Sequence, residues 1–153
     1  QVSVLDDREE WLTRERFPDA DALVDAADPA DWKGRGIVPD ADTYCVIVTH
    51  DHPLDQRILQ KLMECRAAYV GLIGSRTKVR KFLARLSAWG IPKERLAAVH
   101  APIGVDIGAS TPAEIAVSVA AELIGVRSGK QQPALKKNEE RTVPRSPSLI
   151  ANL

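Results

Sequence analysis

Two cysteines in 153 residues, Cys45 and Cys65, are too few and too widely spaced for a zinc motif or a disulfide framework. Cys45 falls inside an apolar stretch and Cys65 near a helix end, so both read as reduced packing residues. No run approaches the roughly 20 apolar residues of a membrane span. The start, Gln1-Val2-Ser3-Val4-Leu5-Asp6-Asp7, has neither the basic opening nor the apolar stretch of a signal peptide, so a soluble, cytoplasmic protein without a membrane partner is expected. Aromatic residues make up only 5% and the net charge is zero; without a basic excess or an aromatic-interleaved basic run, nucleic acid is excluded as a partner. There is no Walker loop and no Ser/His/Asp or Cys/His ordering suited to nucleophilic catalysis, so no motif names a reaction.

What is present suits one domain: 44% apolar content is ample for a single core at this length. The charge is unevenly laid out, with 14 acids against 5 bases in residues 1–55 and 7 acids against 16 bases in residues 56–153. That bipolarity is open to two readings, steering or docking on the one hand and solvated helix faces on the other.

Strand and helix signals alternate along the chain. Val2 to Leu5 predicts a short strand, followed by a helical stretch through Trp11 and Leu12 to about Arg16. Leu23-Val24 predicts a brief strand, and residues 26–42 a loop anchored by Trp32 and Ile37. The continuous run Tyr44-Cys45-Val46-Ile47-Val48-Thr49 predicts a strand buried on both faces and central in a parallel sheet. Pro53 opens a helix with an apolar stripe of Leu54, Ile58, Leu59, Leu62 and Met63. Residues 68–73 predict the next strand, and Ser75 caps a helix whose inward stripe is Val79, Phe82, Leu83 and Leu86, ended by Gly90. Leu96 to Val99 predicts a further strand. Thr111 and Glu114 form a capping box with Pro112 at the first helical position, opening an apolar helix to about Val126 that packs on the sheet. From residue 128 the composition becomes that of a flexible polar tail, giving a division into 1–127 and 128–153.

Two strand-to-helix turns stand out: Tyr69-Val70-Gly71-Leu72-Ile73-Gly74-Ser75-Arg76, and His100 to Glu114 with Gly104-Val105-Asp106-Ile107-Gly108 inside it. Glycines and hydroxyls at that junction are where parallel α/β proteins hold anionic ligands. The candidate ligand edge comprises Asp6, Thr49, His50, Asp51, Gly74, Ser75, Arg76, Gly104 and Asp106. Asp6 reads either as an acceptor for a ribose or as an acid flanking a strand. Gly74-Ser75-Arg76 reads as a phosphate cradle or as a capped turn with a solvated arginine. His50-Asp51-His52 with Asp55 lacks a third ligand of suitable spacing, so no metal site is expected; His50 is a polar contact and Asp51 sits at a helix start. His100 reads as structural, and Asp106 bonds either its own loop or a ligand.

The three motifs Val46-Ile47-Val48-Thr49-His50-Asp51, Tyr69 to Arg76 and Pro102 to Gly108, with Val4-Leu5-Asp6-Asp7-Arg8 and Arg16-Phe17-Pro18, resemble the C-terminal Rossmann-like domain of the XdhC and CoxI family over residues 2 to about 126. The resemblance implies an α/β fold with a Rossmann-like parallel sheet flanked by helices. It implies an accessory factor, not an enzyme, that binds molybdenum cofactor (molybdopterin) and delivers it to a molybdenum hydroxylase apoenzyme resembling xanthine dehydrogenase. A cysteine desulfurase as second partner and a homo-oligomeric state are further implications. An NAD(P)-dependent oxidoreductase and a purely structural oligomerisation domain are the alternative readings. Family members precede the equivalent of Val2 with a strand, a glycine-rich turn and a cysteine-bearing domain, none of which is in this sequence. The expectation is therefore a fragment, a truncated product or a first strand supplied by another chain, with Val2 to Leu5 closing directly on Tyr44 to Thr49 or exchanging strands with a second copy.

Overall fold

In the computed structural model, residues 1–130 are described; the expected polar tail lies, from residue 131 onward, outside the described residues. The parallel α/β organisation is as the sequence predicts, but the five strands form two sheets. Strand β1 (Ser3–Asp6) pairs in parallel with β2 (Ala22–Asp25). Strands β3 (Tyr44–Ile47), β4 (Tyr69–Leu72) and β5 (Val99–His100) form the second sheet, all parallel, in the order β3-β4-β5. The direct closure of β1 on β3 does not occur. Each of these two strands keeps one edge without a strand partner among the described residues.

Local chemistry accounts for the helices. In α1 (His52–Leu62) the Asp51 carboxylate accepts from the Leu54 N–H at 3.1 Å, with Pro53 in the first turn. The Ser75 hydroxyl accepts from the Lys78 N–H to start α2 (Arg76–Ala88), and the expected capping box starts α4 (Pro112–Arg127). The first region expected to be helical is only a 3₁₀ turn, Glu9–Trp11. There the guanidinium groups of Arg8 and Arg16 lie 4.8 and 4.0 Å from the Trp11 ring centre, and stacking replaces further helical turns. The strand expected at 96–99 is also different: Lys93–Ala97 is a short helix, α3, and only Val99–His100 is extended. Pro92 at its N-cap and good helix formers after it explain why Leu96 reaches the core from a helix.

One face of the larger sheet carries the core. Ile47, Val70, Leu72 and Val99 meet the buried stripes of α1 (Leu54, Ile58, Leu59, Leu62) and α2 (Val79, Phe82, Leu86). Trp32, as expected, is buried in this cluster, with Ile37 packed against it. Asp55, fully buried, ties the layers together: it accepts from the Thr49 hydroxyl at 2.6 Å, the Thr49 N–H at 3.3 Å and the Lys78 ammonium at 2.7 Å.

The other face is different. Strand β3 is an edge, not the centre, and Tyr44, Val46 and Val48 are 38%, 41% and 56% exposed. Its side chains alternate as in any strand, so only Cys45 and Ile47 reach the core, and among the described residues the outward set stays exposed. Central position falls to β4, whose four residues are all buried. Helix α4 lies on this second face: its buried residues are Ser118 and Glu122, flanked at helical spacing by half-buried Ile115, Val119, Leu123 and Val126, while Val117 and Ile124 are exposed. The Tyr69 hydroxyl donates to Glu122 Oε1 at 2.6 Å. His100 Nδ1 lies 2.8 Å from the same oxygen without hydrogen-bond geometry, and among the described residues the atom has no other partner. The Tyr69 and His100 rings are in contact, 4.5 Å between centres.

The two faces should respond differently to substitution. Leu59→Ala removes a fully buried side chain and should lower the unfolding free energy by about 2–5 kcal/mol, whereas Val46→Thr or Val48→Thr should stay within about 0.5 kcal/mol, read by urea denaturation. Burial pushes the His100 imidazole below its ordinary value, outweighing the nearby Glu122 carboxylate. The unfolded chain therefore takes up this proton before the folded one. The His100 contribution to stability is complete above about pH 6.5 and is lost as pH falls below it. Melting temperature against pH should decline less steeply between pH 6.5 and 5 in His100→Phe than in the parent chain.

Candidate functional site

At the carboxyl ends of β4 and β5 a cavity of about 720 Å³ opens between the start of α2, the loop after β5 and the flank of α4. That volume lies within the range of small-molecule and cofactor sites. The two turns that stand out in the sequence meet here: Gly74 and Arg76 contribute one wall, Gly104 to Ala109 another. Arg76 and Asp106, both highly exposed, approach to 3.6 Å across the mouth. A pair so solvated adds little stability, so the guanidinium remains available to a ligand.

The loop backbone is shaped by its glycine. Gly104 has φ +94°, and a Cβ there would fall on Ser118 Oγ, so the loop can lie against α4 only without a side chain. The Val105 N–H donates to the Ser118 carbonyl at 3.2 Å, fixing that approach. At the start of α4, one Glu114 oxygen accepts from the Ser110 and Thr111 N–H groups at 2.8 and 3.0 Å, and these donors hold its carboxyl down at about 2. At the start of α2, the first-turn N–H groups have no intrahelical acceptor and the helix dipole favours an anion. Arg80, one turn on, also lines the cavity.

The remaining candidate residues are engaged elsewhere. The Thr49 hydroxyl bonds Asp55, Asp51 caps α1 and Ser75 caps α2. Asp6 accepts from Arg8 on both oxygens, at 2.9 Å each, and this guanidinium holds its carboxyl below the usual range. His50 lies beside Asp7 at 4.0 Å, largely exposed. The ligand atoms of Asp6, Asp7 and His50 come within 4.8 Å of one another, but Arg8 already occupies Asp6 and the group lies open to solvent. The structure thus brings Gly74, Arg76, Gly104 and Asp106 to one cavity and leaves Asp6, Thr49, His50, Asp51 and Ser75 off its wall.

Three polar lining residues are not singled out by the sequence: Arg80, Ser118 and Glu122. A signal for Glu122 is present, since it is the one acid between Ile115 and Val126 in an otherwise apolar helix. Its carboxylate, 1% exposed, lines the cavity where α4 meets β4.

Relatives share this architecture. The XdhC Rossmann domain matches residues 1–123. The chain is 39% identical over 128 residues to the uncharacterized protein YqeB of Escherichia coli, covering 83% of this chain and 23% of that protein. It is 35% identical over 127 residues to a probable xanthine dehydrogenase subunit of Bacillus subtilis, covering 82% and 36%. It is 29% identical over 93 residues to the molybdenum cofactor insertion chaperone PaoD of Escherichia coli, covering 61% and 29%. The crystal structure of a xanthine dehydrogenase from Bacillus halodurans superposes with a TM-score of 0.71 at 32% identity, covering 86% of this chain and 37% of the other. The chain therefore spans less than two fifths of each of these relatives. With a matching fold and a family match over most of its length, the chain belongs to the XdhC family through its Rossmann domain.

Proposed function

We propose that this chain is the cofactor-holding domain of a maturation factor for a molybdenum hydroxylase of the xanthine dehydrogenase type, and that its cavity takes the phosphorylated pterin of molybdenum cofactor before insertion. The observation that carries the reading is the joining of both turns in one cavity with a helix start and two arginines along it. The names of two relatives, a molybdenum cofactor insertion chaperone and a probable xanthine dehydrogenase component, support it.

The residues present fit the group. A phosphate suits the start of α2, where the Arg76 and Thr77 N–H groups have no acceptor among the described residues, with Arg76 and Arg80 as charged donors. Ile73, Ile103 and Ile115 offer apolar wall for the ring system, and the Gly104 backbone permits close approach. The cofactor supplies the redox chemistry of the client enzyme once inserted; this chain binds it, shields it and releases it. None of these roles asks for a thiolate from β3: burial pushes the Cys45 thiol up to about 11, and a thiol that stays protonated is a poor metal ligand. The NAD(P) alternative is weakened at Asp6, both of whose carboxylate oxygens already accept from Arg8.

Gel filtration of the chain mixed with molybdopterin, with bound pterin measured by fluorescence after oxidation, tests the proposal. Co-elution is expected. Arg76→Ala together with Arg80→Ala should weaken binding by about ten- to a hundredfold, as loss of charge-assisted phosphate contacts does, with an unchanged circular dichroism spectrum. Undiminished binding in the double variant would count against the cavity as the site.

A further inference from the structure

Glu122 presents an imbalance that the fold leaves open. A carboxylate removed from water requires donors on both oxygens, and an uncompensated one is costly. Oε1 accepts from the Tyr69 hydroxyl at 2.6 Å. Oε2 takes part in no hydrogen bond among the described residues and is not sealed from solvent, so it opens on the cavity. The neighbouring His100 does not make up the difference: its Nδ1 is off line, and burial disfavours the imidazolium. Yet Glu122 lines the cavity, so the missing donors can come from a ligand.

The cavity also has a direction. Its cationic side lies at the exposed mouth, at Arg76, while Glu122 is almost wholly shielded from solvent. A ligand that satisfies both carries an anionic group outward and N–H donors inward. The isoleucine walls favour a flat heterocycle over a hydrated ammonium, which would have to shed its water against apolar side chains.

We infer that Glu122 is a specificity-determining residue whose free carboxylate oxygen reads the N–H edge of a 2-amino-4-oxo pyrimidine ring, the ring shared by pterins and guanine, through its exocyclic amino group and adjacent ring N–H. The inference rests on the proposed use of the cavity and adds to it the element that selects the ring. Adenine offers no such pair of donors on one edge. Inosine keeps the ring N–H but lacks the amino group, so it reports that contact alone.

Calorimetry on the full chain with guanosine diphosphate, inosine diphosphate, adenosine diphosphate and 6-hydroxymethylpterin diphosphate tests this. At least one amino-bearing ligand should bind about tenfold or more tightly than inosine or adenosine diphosphate, the scale of a hydrogen bond to a charged group. Whether the pterin or the guanine ligand is tighter identifies the source of the ring. Glu122→Gln should remove the preference while leaving the binding that all four diphosphates share through Arg76. If Glu122→Gln does not fold, the comparison of ligands on the parent chain decides alone. Equal binding of all four, weakened together by Arg76→Ala, would overturn the role of Glu122 and leave the cavity reading standing. No binding by any would overturn both. A clear amino-ring preference without molybdopterin co-elution would retain the Glu122 assignment and remove the cofactor reading.

Discussion

The hydrogen bond from Tyr69 to Glu122 connects the centre of the larger sheet with the last helix, and the geometry around the cavity depends on it. The fully buried residues of helix α4 are both polar, Ser118 and Glu122, with Ile115, Val119 and Leu123 half-buried beside them, so this carboxylate sits at the centre of its seat. Tyr69 can reach Glu122 because Gly71, two residues on and on the same face of β4, has no side chain. A Cβ there would come within 2.6 Å of the Tyr69 hydroxyl and 2.5 Å of Ile103 Cδ1. The glycine in the strand, the tyrosine curled over it and the acid on the helix form one unit. Without it, the loop from Gly104 to Ala109 would lose the surface it lies against.

A second buried carboxylate organises the opposite face. Asp55 is saturated, with donors from Thr49 and Lys78, and joins the end of β3 to both α1 and α2. Glu122 is only half satisfied. Two acids of similar burial therefore differ in kind: one is closed within the protein, and the other keeps an acceptor beside a cavity. Burial alone does not separate a structural acid from a recognition group; the count of donors on each oxygen does.

Legibility in the sequence follows the range of the forces involved. The helix starts at Asp51, Ser75 and Thr111 are readable because a cap is chemistry between residues three apart. The inward stripes of α1 and α2 are readable because a core selects a helical period. The place of β3 in the sheet is not, because an apolar run fixes extension and burial preference but not whether a neighbour lies alongside. Helix α4 is apolar on every side, so no stripe could say which face meets the sheet, and Glu122 breaks the run without announcing a partner 53 residues earlier. At the site, Gly74, Arg76, Gly104 and Asp106 are legible as turns after strands. Thr49, Asp51 and Asp6 look the same in sequence, and only the positions of Asp55, Leu54 and Arg8 show that their polar atoms already have partners.

The outward row on β3 bears on colloidal behaviour. Tyr44, Val46 and Val48 combine an apolar surface with an unpaired backbone edge, the arrangement on which extended segments of other molecules add as new strands. Many proteins offset such an edge with a net charge that keeps molecules apart, but this chain carries none. Without that long-range repulsion, association of this chain is governed by short-range contacts along its open strand edges, of which that of β3 carries this exposed apolar row.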